Sequence, residues 1–166
     1  KQKLLDRIEE YEKKGLFDVD VEDDPPTIPL DPDKVDYTQK KLSTRIGSFF
    51  ANIAGRAHFE KKIKRGEVVI KEICGAENME KVRDCGALVT CNHFNPFDNY
   101  AVYRSMRPIL GRKMLYKIIR EGNYTSFGGF YGYLFRHCNT LPLSSSIKGM
   151  KALNRAMTEL FARGEK

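Results

Sequence analysis

The chain has 166 residues, of which 41% are hydrophobic, and this suits one domain of ordinary size and excludes disorder by composition. Its formal charge of +7 is segregated, because residues 1–37 carry −6, residues 38–65 carry +7 and residues 66–166 carry +6. No run approaches the ~20 apolar residues that cross a bilayer, and the charged first residues do not resemble a signal peptide.

The first part of the chain predicts an acidic helix followed by a connection. Residues 1–14 place apolar side chains on one helical stripe with charges elsewhere, and Gly15 follows them as a stop signal. Residues 17–34 contain four prolines and no helical period, so they predict an extended acidic connection. We therefore expect residues 1–37 to form a helix and a Pro-rich tether that wraps the domain.

Residues 38–65 predict a basic amphipathic helix. Its apolar residues recur at helical spacing between flanking lysines and arginines: Leu42, Ile46, Phe49, Phe50, Ile53, Ala54 and Ala57. One interpretation is that this stripe packs on the domain core, and the pattern by itself favours it. The other is that the stripe lies on an anionic membrane, where each Lys or Arg contributes about 1 kcal/mol.

Short apolar segments then predict a sheet within a domain spanning residues 66–166. Residues 67–74 alternate as a strand does, and residues 87–91 form a short apolar run rich in β-formers, typical of a buried strand. A helix separates this run from a further strand at residues 113–119, and such a crossover favours parallel pairing. We therefore expect a mixed α/β fold with a mostly parallel central sheet flanked by helices.

The most informative turn follows the predicted strand at residues 87–91. Asn95 is expected to cap the next helix with Pro96 at its first position, so that His93 and Asp98 meet across a tight turn at the strand end. Imidazole accepts a proton near neutral pH, and a carboxylate on its other nitrogen fixes the tautomer. His93 is thus the candidate base and Asp98 its orienter. The alternative is a capping arrangement in which His93 is only a loop residue.

Further residues carry weaker indications. Residues 122–133 hold four glycines and five aromatics, which fits either an acyl-chain groove or an aromatic-anchored loop or irregular helix start. Arg136 and Lys117 are candidates for binding a phosphate group, and each is equally explained as a surface cation. Residues 146–163 predict a scaffold helix with serines before it and Gly164 after it.

At residues 92–98 the sequence NHFNPFD resembles the signature of the lysophosphatidic acid and glycerol-3-phosphate acyltransferases, in which Asn-His is followed by four residues and Asp. Residues 132–166 resemble the second block of that family and its following helix, so the resemblance covers roughly residues 66–166. Where the family usually has an arginine after the second-block strand, this chain has Ser144, Ser145 and Ser146. Because the family's third block would follow the helix ending near Gly164, we expect a domain truncated at its C-terminal side.

The resemblance implies transfer of an acyl group from acyl-CoA or acyl carrier protein to the hydroxyl of a lysophospholipid or glycerol phosphate. In that reaction His93 is the general base with Asp98, and amides around Asn95 to Asp98 are expected to bind the oxyanion. Asn95, Lys117 and Arg136 are the candidate substrate-binding residues. No metal and no cofactor besides the acyl donor is expected, and the location implied is cytoplasmic, peripheral at the inner face of a membrane.

The competing hypothesis is a non-catalytic membrane-binding module that uses residues 38–65. Nucleic acid is not expected as a partner, because no groove-reading motif accompanies the basic segment. An exposed sheet edge would favour pairing with a second copy. The four cysteines are scattered at positions 74, 85, 91 and 138, which indicates neither a zinc site nor a disulfide scaffold and favours a reducing interior.

Overall fold

A computed structural model describes residues 2–21, 28–93, 95 and 97–166 of the chain. It shows a mixed α/β protein that is mostly helical, with a two-stranded parallel sheet. The elements are α1 Gln2–Lys13, α2 Leu42–Lys64, α3 Asp98–Leu110, β1 Lys117–Arg120, α4 Glu121–Thr125, α5 Gly129–His137, β2 Thr140–Leu143 and α6 Ile147–Ala162, with 3-10 turns at Pro32–Lys34 and Ala76–Val82.

The sheet lies in the second half of the chain. β1 and β2 pair in parallel with Lys117 opposite Thr140 and Arg120 opposite Leu143, and α4 and α5 form the crossover between them. Such a connection is what parallel pairing requires. The mixed α/β class is therefore confirmed, whereas a mostly parallel central sheet flanked by helices is not.

Two predicted strands are absent from the described residues. Residues 67–74 and 87–91 form no strand, and Val69 and Leu88 are 68% and 67% exposed. β-propensity acts only when a neighbouring backbone accepts the hydrogen bonds of a strand. Residues 87–91 instead have an isolated bond from the Ala87 N–H to the Glu165 carbonyl. The buried strand predicted at residues 87–91 is therefore not formed in this structure.

The strand predicted at residues 113–119 begins later, at Lys117. Just before β1, two backbone hydrogen bonds join the chain to Lys166. Lys166 donates its N–H to the Met114 carbonyl at 3.0 Å, and Tyr116 donates its N–H to the Lys166 carbonyl at 2.7 Å. Residues 122–133 contain most of α4 and the beginning of α5, so the interpretation of this segment as a helix start is confirmed and its interpretation as a loop is not.

The helices that were predicted from spacing are confirmed to within a few residues for α1, α2 and α6. Ser146 caps α6 by accepting the Gly149 N–H at 3.0 Å, as the serines before this helix indicated. Residues 22–27 of the predicted extended connection lie outside the described residues, and the connection includes the short turn at Pro32–Lys34.

Two small apolar clusters hold the fold. One joins β2 to α6 and includes Leu141, Leu153 and Leu160, and Tyr37 from the N-terminal connection packs into it. The other surrounds the C-terminal half of α3: Met106, Ile109, Leu110 and Leu115. Each of these side chains is less than 10% exposed, so the burial that stabilises the fold is concentrated here.

Helix α2 buries the face opposite to its apolar stripe. Its buried residues are the small ones, Ser48, Ala51 and Gly55. Small side chains let α5 approach closely, and the Tyr133 hydroxyl donates to the Gly47 carbonyl at 3.0 Å. The side chains of the stripe are 43–68% exposed: Leu42, Ile46, Phe49, Phe50 and Ile53. The interpretation that this stripe packs on the core is therefore wrong. No helix in the described ranges is long and apolar enough to cross a membrane.

Candidate functional site

The turn before α3 is organised by Asn95 and Asp98. The Asn95 side-chain oxygen accepts the Phe97 N–H at 3.0 Å, and the Asp98 carboxylate reaches back to accept the Asn95 N–H at 2.7 Å. These reciprocal bonds satisfy amides that a helix start otherwise leaves without partners. The helix itself begins at Asp98, so Asn95 lies further before it than expected, and Pro96 lies outside the described residues.

The same turn brings His93 to Asp98. His93 Nδ1 lies 3.3 Å from Asp98 Oδ2, the oxygen that also accepts the Asn95 N–H. The expected proximity of these two side chains is confirmed, although it does not arise at a strand end, because residues 87–93 form no strand. One carboxylate therefore makes both contacts: it accepts the Asn95 N–H, as in the capping interpretation, and it faces His93, as in the pairing interpretation.

This geometry suits general-base chemistry. With Nδ1 facing the carboxylate, Nε2 is the nitrogen that remains for a substrate, and the His93 side chain is 57% exposed. The Asp98 side chain is 30% exposed and held from two sides. A carboxylate fixed in this way orients the imidazole and stabilises its charged form.

The backbone amides of the turn are already engaged. Asn95 donates to the Asp98 carboxylate, Phe97 donates to the Asn95 side chain, and Asp98 donates its N–H to the Asn95 carbonyl at 3.0 Å. The sequence predicted that these amides bind an oxyanion. In the structure all three N–H groups are instead bonded within the turn. The exposed Asn95 side chain remains a candidate for contact with a substrate.

The C-terminal half of α2 supports the turn through aromatic contacts. The Phe97 ring meets Phe59 edge to face at 5.8 Å, and Lys62 Nζ lies 5.3 Å from the centre of the same ring. Phe59 in turn stacks on Tyr100 at 4.8 Å. Such contacts contribute about 0.5–1.5 kcal/mol each beyond burial, so they fix α3 and its first residue against α2.

An open cleft of about 490 Å³ lies between α2 and α3 next to this turn. Its walls include three arginines, Arg56, Arg104 and Arg107, which we call the arginine cleft. Glu60 also lines the cleft, where it accepts a hydrogen bond from the Tyr100 hydroxyl at 2.6 Å and pairs with Arg104. This cleft was not predicted from the sequence, although Tyr100, Arg104 and Arg107 follow the i, i+4, i+7 spacing of one helix face.

The charges in the arginine cleft are coupled. The Tyr100 hydrogen bond, and then Arg104, lower the pKa of Glu60, so this carboxylate is ionised at neutral pH. Burial and the contact with Glu60 raise the pKa of Tyr100 to about 12. Since the lining residues comprise three arginines and one carboxylate, Glu60, the cleft keeps an excess of positive charge.

The other predicted substrate-binding residues lie elsewhere. Lys117 is half-buried at the start of β1, and burial lowers its pKa. Arg136 donates to the Tyr124 and Phe127 carbonyls at the opposite end of α2. The structure therefore brings together His93, Asn95 and Asp98, but not Lys117 or Arg136.

Among the described residues, no group of three or more His, Cys, Asp or Glu side chains is arranged to hold a metal ion. No protein-family model matches the chain, and no curated protein or solved structure matches it significantly.

Proposed function

We propose that the chain is part of an acyltransferase that moves a fatty acyl group from acyl-CoA or acyl carrier protein to the hydroxyl of a lysophospholipid or glycerol phosphate. The observation that carries this proposal is the Asp98 carboxylate, which the Asn95 amide holds at 2.7 Å while His93 Nδ1 lies 3.3 Å away. The sequence NHFNPFD at residues 92–98 supplies the resemblance to glycerolipid acyltransferases.

In the proposed reaction, His93 Nε2 removes the hydroxyl proton while the acceptor oxygen attacks the thioester carbonyl carbon. Asp98 stabilises the imidazolium that forms. When the tetrahedral intermediate collapses, the carbon–sulfur bond breaks and the imidazolium returns its proton to the leaving thiolate. One hydroxyl and one thioester therefore give one ester and one thiol, and His93 ends as it began.

We assign the acceptor phosphate to the arginine cleft. Its side nearest the turn is formed by Tyr100, two residues after Asp98, and Arg56 and Arg107 offer planar donors that match phosphate oxygens. The arginine cleft therefore replaces Lys117 and Arg136 as the proposed site of the acceptor phosphate.

The finer fold is also a proposal. The exposed segments at residues 67–74 and 87–91 have the composition of strands, and Val69 and Leu88 present apolar side chains to solvent. We propose that they pair in a larger, mostly parallel sheet when further strands, from the same protein or from a second copy, lie beside them. His93 would then stand at a strand end.

We also propose a peripheral position at the inner face of a membrane, and the surface of α2 supports its peripheral part. The α2 stripe exposes Phe49 and Phe50 by 61% and 58%, and exposed Arg45 and Arg56 lie beside it. Aromatic and aliphatic side chains insert into the interface while cations meet anionic headgroups. This same surface supports the second candidate function, a membrane-binding module without catalysis.

The first test is thiol release from an acyl thioester in the presence of lysophosphatidic acid and other lysolipids, with the purified full-length protein. We expect acceptor-dependent release that His93→Ala abolishes. His58→Ala is the matched control, because the His58 ring contacts Phe130 and Tyr131 of α5. Transfer that survives in a folded His93→Ala protein would exclude the proposed base.

A co-sedimentation assay with anionic vesicles separates the two candidates. The double substitution Phe49→Ser and Phe50→Ser should release the protein from vesicles and leave its thermal unfolding unchanged, since both rings are exposed. Binding that depends on these rings, with no thiol release for any acceptor, would establish the module and not the enzyme.

A further inference from the structure

The two edges of the parallel sheet differ. β1 bonds to β2 from the Lys117 N–H, which donates to the Asn139 carbonyl at 2.8 Å. In a parallel pair every second residue of a strand directs both of its backbone groups to the same neighbour. Lys117 and Ile119 therefore face β2, whereas the N–H and carbonyl of Ile118 face the opposite side, which we call the open edge of β1.

The outer edge of β2 is closed to a further strand. Asn139 bonds to β1, so by the same alternation Pro142 turns its backbone away from β1. Proline has no N–H to donate to a neighbouring strand. The Pro142 carbonyl already accepts the Tyr37 hydroxyl at 3.4 Å, and the Pro142 side chain is fully buried. A further strand therefore extends this sheet at the open edge of β1.

The start of another strand already lies on the open edge. The Lys166 N–H donates to the Met114 carbonyl, and the Lys166 carbonyl accepts the Tyr116 N–H. One residue bonded in this way to two residues on either side of Leu115 has the pattern of a parallel ladder, with Lys166 opposite Leu115. Met114 and Tyr116 precede Ile118 at steps of two residues, so all three face the same edge.

A second neighbour flanks this strand start on its other side. The Ala87 N–H donates to the Glu165 carbonyl at 3.3 Å. Lys166 is only 6% exposed, and its Nζ donates to three backbone carbonyls. Backbone partners on both sides are typical of an inner strand, since an edge strand has a partner on one side only. Glu165 and Lys166 therefore have the position of an inner strand between β1 and residues 87–91.

Beyond Lys166, the segments on both sides of this position are exposed. Ile118 on the open edge is 45% exposed, and Leu88 and Val89 are 67% and 38% exposed. The Ile118 N–H has no hydrogen-bond partner in the part of the chain that the structure describes. Apolar, β-forming segments with unpaired backbone groups are what a further strand pairs with.

We infer that the residues following Lys166 in the full-length protein form a strand that lies parallel to β1, between β1 and residues 87–91. We call it the middle strand. The inference rests on the larger sheet proposed above and specifies which segment completes it, in which direction and in which register. About five residues, a usual strand length, bring it level with Arg120 at the end of β1. Because inner parallel strands are buried on both faces, we expect these residues to be mostly apolar.

The middle strand positions the chain that leads to His93. In the described structure residues 87–91 make one backbone hydrogen bond, at Ala87, whereas the Asp98 carboxylate is held within its own turn. Alternation from Ala87 directs the Val89 N–H to the middle strand as well. The strand thereby fixes the backbone before His93 and acts on the His/Asp pair without contacting a substrate.

Amide hydrogen exchange of the full-length protein, followed by NMR, tests the inference residue by residue. We expect the Ile118 and Val89 N–H groups to exchange within about tenfold of the rate of Ile119, because a backbone hydrogen bond protects each of them. Ile119 is the internal reference, since its N–H faces β2 with or without a further strand. Fast exchange at Ile118 beside slow exchange at Ile119 would show that the open edge is empty and would overturn the inference.

Two proline substitutions give a matched second measurement on the full-length protein. Ile118→Pro removes an N–H that faces the open edge, and Ile119→Pro removes one that faces β2. With the middle strand in place, both variants should lower Tm by similar amounts, because each loses a bond inside a sheet. Proline is tolerated on the solvent side of an edge strand, so a decrease for Ile119→Pro alone would contradict the middle strand.

Two further measurements separate the inference from its alternatives. Protection of Ile118 that disappears on dilution, together with a change from dimer to monomer, would assign the open edge to a second copy and overturn the inference. His93→Ala should leave the exchange of Ile118 unchanged. A full-length protein that transfers no acyl group but protects Ile118 would therefore refute the proposed reaction and not the middle strand.

Discussion

Asp98 Oδ2 lies 3.3 Å from His93 Nδ1 in a turn that the same carboxylate closes by accepting a backbone N–H. The position of the carboxylate is therefore determined by the backbone and not by the histidine. Different substitutions of Asp98 can therefore remove its charge without removing its hydrogen bond to the backbone.

Asp98→Asn should keep the turn and lose the reaction. An amide oxygen still accepts the Asn95 N–H, but it carries no charge to stabilise an imidazolium, so we expect a decrease of about 10²–10⁴-fold in thiol release. Asp98→Ala should in addition lower the free energy of unfolding by about 0.5–2 kcal/mol through the lost cap. Activity near that of the unmodified protein in Asp98→Asn would show that the carboxylate has only a structural role.

Arg107→Gln tests the arginine cleft. If the cleft binds the acceptor phosphate, this substitution should raise KM for lysophosphatidic acid by roughly tenfold and change kcat little, because the contact is made equally in the ground and transition states. Arg112→Gln, an exposed arginine just beyond α3, is the control. Equal KM values for the two variants would place the phosphate elsewhere.

Gly132→Ala should destabilise the protein. A Cβ atom at Gly132 would overlap the Phe127 carbonyl group, which belongs to the tight connection between α4 and α5. We expect a loss of about 1–3 kcal/mol, measured by urea unfolding. At Gly128 an added Cβ meets nothing within 4 Å, so Gly128→Ala should leave stability nearly unchanged.

Buried tyrosines predict a loss of stability at alkaline pH. Burial raises the pKa of Tyr37, Tyr100 and Tyr116 to about 12 each. The unfolded chain releases these protons near pH ~10 while the folded protein keeps them, so the stability present below pH ~10 is lost as pH rises toward ~12.

Urea unfolding across this pH range measures whether the free energy of unfolding falls as predicted and whether Tyr116 contributes to the fall. Tyr116→Phe should make the alkaline decrease of unfolding free energy shallower by removing one of the late-titrating phenols. Tyr131→Phe is the control, because Tyr131 is 45% exposed. A decrease that is identical in both variants would assign the alkaline effect to other groups.

Sequence alone determined the features that depend on neighbours along the chain. The spacing of apolar residues located α2 and α6, the serines before α6 located its cap, and five residues of separation were enough to bring His93 to Asp98. In each case the interacting groups are within a turn or two of one another, so local geometry restricts them to few arrangements.

Only the tertiary structure decided the features that depend on distant partners. Close approach of α5 selected the small residues of α2 for burial and left the aromatic ones in solvent, against the amphipathic pattern. Residues 87–91 formed no strand because a strand requires another backbone beside it, whatever its composition. The arginine cleft joins side chains from α2 and α3, which are far apart in the chain, and no local spacing specifies which helix faces meet.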